Sequence, residues 1–174
     1  MGVNTRAFNQ SAVAEAVAWG FSVSDKNRDG FQLVRSLELP LGDYAIFGSG
    51  PLIVRGVIAA TNDIDIVSRG DAWERARTVG DLVLLPEYDV EIVTCFDGIV
   101  TGGPCWAIGG FDIDDLIDTA EMIEGLPFVG LEHVVCYKQI AGRPKDLEHL
   151  RLYAEAVRDA TARPGTTATD PAPR

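Results

Sequence analysis

Basic residues are missing from a long stretch of this chain. Between Thr78 and Tyr137 there is neither lysine nor arginine, while Asp81, Glu87, Asp89, Glu91, Asp97, Asp112, Asp114, Asp115, Asp118, Glu121, Glu124 and Glu132 all fall there. The whole 174-residue protein has a formal net charge of -11. That balance excludes a general nucleic-acid coat, because phosphate binding needs a positive footprint. Long apolar runs are also lacking. Nothing approaches the ~18 consecutive residues of a membrane span, and MGVNTRAFNQ has no basic segment leading into an apolar stretch, so a cytoplasmic location and no membrane partner are expected. Cysteine is scarce, with Cys95, Cys105 and Cys136 odd in number and without CxxC spacing. Reduced thiols are expected, not a disulfide framework or a zinc site. His133 and His149 are far apart and read as structural or surface residues.

What is present is an ordinary globular composition, with 47% hydrophobic and 24% charged residues. Length and pattern predict a single α/β domain over 1–160 with a mixed sheet flanked by helices. Residues 1–40 read as a helical N-terminal part, 41–110 as the sheet core, 111–160 as a helical C-terminal part, and 161–174 as a disordered tail.

Ser11 is a plausible cap for a first helix ending at Gly20. DKNRDG reads as a turn before a helix over FQLVRSLEL. Its spacing resembles half of a calcium loop, but the closing position is Ser36 instead of glutamate, so calcium is rejected. DYAIFG reads as a strand that closes on Gly48-Ser49-Gly50, and Pro51 then opens a helix over PLIVRGVIAA. TNDIDIVS alternates, with Asp63 and Asp65 on one face and Ile64 and Ile66 on the other. DAWERARTVG reads as a helix, VLLP as a strand, and YDVEIVTCF as a strand with Asp89 and Glu91 on one face. GIVTGGPCWAIGG is expected to be a hairpin or loop. FDIDDLIDTAEMIEG reads as a helix and PFVG as a short extended piece. LEHVVCYKQIAG forms a helix closing at Gly142, and Pro144 opens another. Trp19, Trp73 and Trp106 have apolar neighbours and read as core or interface residues, not as base-stacking ones.

Two carboxylates at i and i+2 of a strand project side by side, with backbones roughly 6–7 Å apart. Such charges repel unless a cation lies between them. Magnesium suits this arrangement, because it takes few carboxylates and completes its shell with phosphate and water. A third carboxylate on a neighbouring strand, Glu91 or Asp89, would complete a two-metal arrangement for phosphoryl displacement. Gly48, Ser49 and Gly50 offer backbone N–H groups and a hydroxyl to phosphate.

The succession FGS–GPLIVRGVIAATN–DIDIV resembles the signature of the nucleotidyltransferase fold superfamily: a hydrophobic residue, Gly, Gly or Ser, about a dozen residues, then a flanked Asp-x-Asp. The later YKQIAGRPKDLEHL is similar to the C-terminal part of small bacterial members. Those include toxin-type enzymes of abortive-infection and toxin–antitoxin systems, and minimal antibiotic nucleotidyltransferases. The resemblance implies a magnesium-dependent transfer of a nucleoside monophosphate (NMP) from an NTP to an acceptor hydroxyl, with pyrophosphate released. It implies Gly48 and Ser49 at the phosphates and Asp63 and Asp65 as magnesium ligands. It makes Glu91 the third carboxylate, where members generally have Asp, with Asp89 as the alternative. Lys138, Arg143 and Lys145 would reach triphosphate or acceptor, and Asp146 would brace the last helix. The implied acceptor is tRNA or protein in a toxin-like enzyme with a cognate antitoxin, or else a cationic antibiotic. A non-catalytic nucleotide- or partner-binding module of the same fold is the other reading.

Overall fold

The computed structural model describes residues 25–162. The Ser11 cap, the first helix, Trp19 and the tail beyond Ala162 lie outside those residues.

Helix α1 (Asp25–Ser36) comes first. DKNRDG is therefore helical and not a turn. Phe31 and Val34, three apart and almost fully buried, hold this helix to the core, and such tertiary anchoring overrides the weak helix preference of Asp, Asn and Gly. Strand β1 (Tyr44–Ile46) follows, then α2 (Gly50–Val54), β2 (Ile64–Ser68) and α3 (Gly70–Val79). Next come β3 (Asp81–Leu85), β4 (Val90–Cys95) and β5 (Val100–Gly103). The chain continues through α4 (Ile113–Asp118), β6 (Glu121–Ile123), β7 (Leu126–Phe128), α5 (Leu131–Ala141) and α6 (Pro144–Ala162).

The seven strands form one mixed sheet in the order β3-β4-β5-β2-β1-β7-β6. The pairs β2–β5 and β1–β7 are parallel and the rest antiparallel. The glycine-rich segment thus supplies a strand beside β2. Gly102 is needed there because a Cβ would lie 2.6 Å from the Ile66 side chain. The acidic segment after Gly110 divides into a short helix, capped by Asp112 accepting from the Asp114 amide, and a strand. The expected long helix after Pro51 stops after five residues. The last helix runs two residues into the expected tail.

The core lies against both sheet faces. Ile64, Ile66 and Phe128 face α1, where Phe31 meets the Phe128 ring edge-on at 5.3 Å. On the other side Phe47, just past β1, gathers Trp106, Phe111 and Tyr137 at 4.5, 5.6 and 5.5 Å between centroids. That cluster seats α5 over the end of β1, and it is what positions the candidate site. Trp73 and Trp106 pack on the core, as expected. Cys95 is buried, and Cys105 and Cys136 are exposed.

Candidate functional site

β1 and β2 are antiparallel neighbours, so the corner after β1 returns over β2. Phe47 donates its amide to the Asp65 carbonyl at 2.9 Å, which pins the Gly48-Ser49 corner to the acidic strand. Gly48 has φ +58°, the left-handed region that disfavours a side chain. A Cβ built there would stand 2.4 Å from Oδ2 of Asp65. The corner and the Asp65 carboxylate are therefore in direct apposition. Gly48→Ala should destabilise the protein by about 1–2 kcal/mol from backbone strain alone and push the carboxylate aside. A urea midpoint unchanged by this substitution would contradict the apposition.

Asp63 lies one residue before β2 and is exposed; Asp65 is partly buried. Burial first, and then the Asp63 charge, push the Asp65 carboxyl from 3.8 to about 6, against the opposing pull of Lys145, Lys138 and Arg143. Among the described residues, none donates a hydrogen bond to that carboxylate. A carboxylate that is partly desolvated, crowded by a like charge and unpaired favours a cation. Asp63 and Asp65 thus fit the sparse protein ligation that magnesium accepts when phosphate and water complete its shell. No group of three or more His, Cys, Asp or Glu side chains is arranged to hold a metal among the described residues.

The third carboxylate is not brought to this face. Asp65 pairs with Thr101, and Thr101 with Thr94. Residues directly opposite share a face and successive residues alternate. Asp65 therefore shares its face with Thr101, Thr94, Ile92 and Val90, while Glu91 projects from the opposite side and is exposed. Asp89 is not on the strand. It lies in the β3–β4 turn with φ +51°. The expectation that both acids lie on one strand face is corrected, because the turn takes up Asp89 and pairing with β5 sets the parity of β4.

The resemblance implies that Lys138, Arg143 and Lys145 reach triphosphate or acceptor. Lys138 is almost fully buried. Its Nζ donates to Ser49 Oγ and to Asp146 Oδ1, each at 3.3 Å. Arg143 Nε donates to Asp146 Oδ2 at 2.6 Å and Nη2 to the Tyr137 hydroxyl at 2.5 Å. Burial would raise the Asp146 carboxyl, but Arg143 and Lys138 outweigh it and hold it below its usual range. Burial lowers the Lys138 ammonium, with Asp146 opposing. Asp146 thus braces the junction of α5 and α6, where Gly142 turns the chain in the left-handed conformation. Lys145 is exposed and contributes only its charge. These contacts set a serine hydroxyl and a buried ammonium on the β1 side of Asp65.

On the other side of Asp65, over β5 and β4, opens a cleft of about 200 Å³. Leu85, Val90, Ile92 and Trp106 line it, as do the polar side chains of Asp65, Thr101 and Arg143. The motif signal pointed to the corner and the acids; no short-range signal marked this cleft, because its lining comes from four separate segments.

No family model, characterised protein or solved structure matches the chain.

Proposed function

We propose that the protein is a magnesium-dependent nucleotidyltransferase that moves an NMP unit from an NTP to an acceptor hydroxyl and releases pyrophosphate. The observation that carries this reading is the apposition of the Gly48-Ser49 corner with Asp65, with Lys138 bonded to Ser49. In the proposal Asp63 and Asp65 hold the metal. Bound magnesium would draw charge from the phosphoryl oxygens and orient them.

The chain's own groups divide the remaining work. Ser49 Oγ accepts from Lys138, which leaves its own proton free to donate to a phosphate oxygen. Glycine at position 48 lets the phosphate come close to the backbone. Lys138 is immobilised by Asp146 and supplies a fixed positive charge behind Ser49. Arg143 and Lys145 add to the field that steers a polyanion towards a protein of net negative charge.

One observation favours a second reading, in which the site binds an NTP without transferring it. The face around Asp65 carries Thr101, Thr94, Ile92 and Val90 where a third carboxylate would activate an acceptor.

Magnesium-dependent thermal stabilisation by each NTP separates the readings from failure of both. At ligand concentrations 100 times Kd the expected gain is about 2.7 kcal/mol, lost in Asp63→Ala and Asp65→Ala. Labelling of an acceptor in cell extract from an α-labelled NTP supports transfer, and stabilisation without labelling supports binding alone. Absence of both sinks the proposal. Growth arrest on expression, relieved by Asp65→Ala, is the expected result for a toxin-like enzyme with an antitoxin.

A further inference from the structure

Asp65 divides two regions of different chemistry. On the β1 side lie Gly48, Ser49 and Lys138. On the β5 side lies the apolar cleft. An in-line displacement at phosphorus brings the nucleophile in opposite the leaving group. If the leaving pyrophosphate lies over the corner, the acceptor enters from the cleft. This inference rests on the nucleotidyl-transfer reading.

The cleft's chemistry then describes the acceptor. About 200 Å³ is smaller than the 300–1,000 Å³ of drug-sized pockets, and it suits a single ring. Its walls are mainly aliphatic and aromatic, with Thr101, Tyr88 and Cys105 adding polar atoms. Asp65 is the only carboxylate among the described residues lining it, and Arg143 sits beside it. An antibiotic with several ammonium groups would meet one carboxylate and a guanidinium, a poor match. Any ribose hydroxyl facing Leu85, Val90 and Ile92 would be left unpaired, which is unfavourable for buried polar groups. A ring bearing one hydroxyl buries its apolar part and directs its oxygen to the Asp65 end.

We propose that the acceptor is a phenolic hydroxyl, held with its ring in the cleft between Ile92 and Trp106 and its oxygen towards Asp65. The placement of Glu91 on the opposite face agrees with this chemistry. A phenol ionises near pH 10, as tyrosine does at about 10, so it depends less on a general base than an alkyl alcohol does. In the step, the phenolic oxygen attacks the α-phosphorus of the NTP. The bond from that phosphorus to the bridging oxygen breaks, and pyrophosphate leaves with the electron pair. The phenolic proton passes to water.

The source of the phenol is either a free small molecule or a tyrosine side chain of another protein, and the two arms of the test distinguish them. The full chain is given each α-labelled NTP with magnesium and offered 4-ethylphenol, a tyrosine-containing peptide, the same peptide with serine, kanamycin or tRNA. Expected is labelling of a phenol in at least about tenfold excess over the serine peptide, equivalent to 1.4 kcal/mol. Independently of turnover, the favoured phenol should slow maleimide modification of Cys105, which lines the cleft. Exposed Cys136 in the same molecule serves as reference. Protection should reach about tenfold at ten times Kd, as mass action requires. Labelling restricted to the serine peptide, kanamycin or tRNA overturns the inference. So does an NTP bound in an Asp65-dependent way while phenols neither protect Cys105 nor become labelled, and so does protection without labelling. If no NTP binds, the transfer reading fails as well, which the thermal-shift arm detects separately.

Discussion

Asp146→Ala should unfold much of the protein's margin of stability, by about 3–5 kcal/mol, the range seen when one member of a buried ion pair is removed. Asp146 is fully buried and is bonded by both Lys138 and Arg143. Without it the Lys138 ammonium, itself 1% exposed, would keep the Ser49 oxygen as its one hydrogen-bond acceptor among the described residues, beside the face of the Tyr137 ring. Arg143 is half exposed and turns to water at little cost, so most of the loss belongs to Lys138. Two further variants separate charge from shape. Asp146→Asn keeps a hydrogen-bond acceptor but no charge and should fall between wild type and Asp146→Ala. Lys138→Met combined with Asp146→Leu should recover most of the stability, because apolar replacements of a buried pair are often neutral or better. It should nevertheless abolish NTP binding, since Ser49 then lacks its orienting ammonium. Urea unfolding at neutral pH reads all four proteins. A loss below about 1 kcal/mol for Asp146→Ala, the level of an exposed pair, would show that this triad is not a buried brace.

The parts of the site that were legible in the sequence are those set by neighbours in the chain. Alternation predicts Asp63 and Asp65 on the face opposite Ile64 and Ile66; β2 keeps that order for Ile64, Asp65 and Ile66, and Asp63 lies one residue before the strand. Gly142 and Pro144 marked the end of one helix and the start of the next, and both do so. What local pattern left undetermined was decided by pairing over distance. The face of Glu91 depends on β4 meeting Gly102 through Val93, a register imposed by β5. β5 itself was hidden because VTGG carries little side-chain signal, and its glycines answer to Ile66 and Ile92 on neighbouring strands. The acid-rich segment after Phe111 reads as one amphipathic helix, yet β7 recruits Glu121–Ile123 as an antiparallel partner. Lys138 sits in a helix with charged and apolar residues interleaved, and it turns inward because Tyr137 packs on Phe47 and because Ser49 and Asp146, both distant in sequence or across a turn, accept from it.

Asp65→Asn should make the protein more stable at neutral pH while removing its function. The carboxyl is raised from 3.8 to about 6 in the folded state, by burial first and by Asp63 second. The folded protein therefore binds a proton more tightly than the unfolded chain, and stability falls as pH rises across that interval. Below about pH 4 both states are protonated and Asp65 has no effect. Above about pH 6 the folded state carries the full penalty, about 2–3 kcal/mol at 1.36 kcal/mol per unit. Asparagine keeps the shape and carries no charge, so the variant should match wild type near pH 4 and exceed it by that amount at pH 7–8. Unfolding curves from pH 4 to pH 8 in the absence of divalent cations check this. Magnesium with NTP should reverse the order, because a bound cation stabilises the carboxylate and gives nothing to the amide. A site that is less stable with its carboxylate than without it, and recovers only when a cation and a polyphosphate arrive, has the stability–activity conflict expected of a functional centre. Parallel pH profiles for the two proteins, or equal stabilisation of both by magnesium and NTP, would remove Asp65 from the proposed centre.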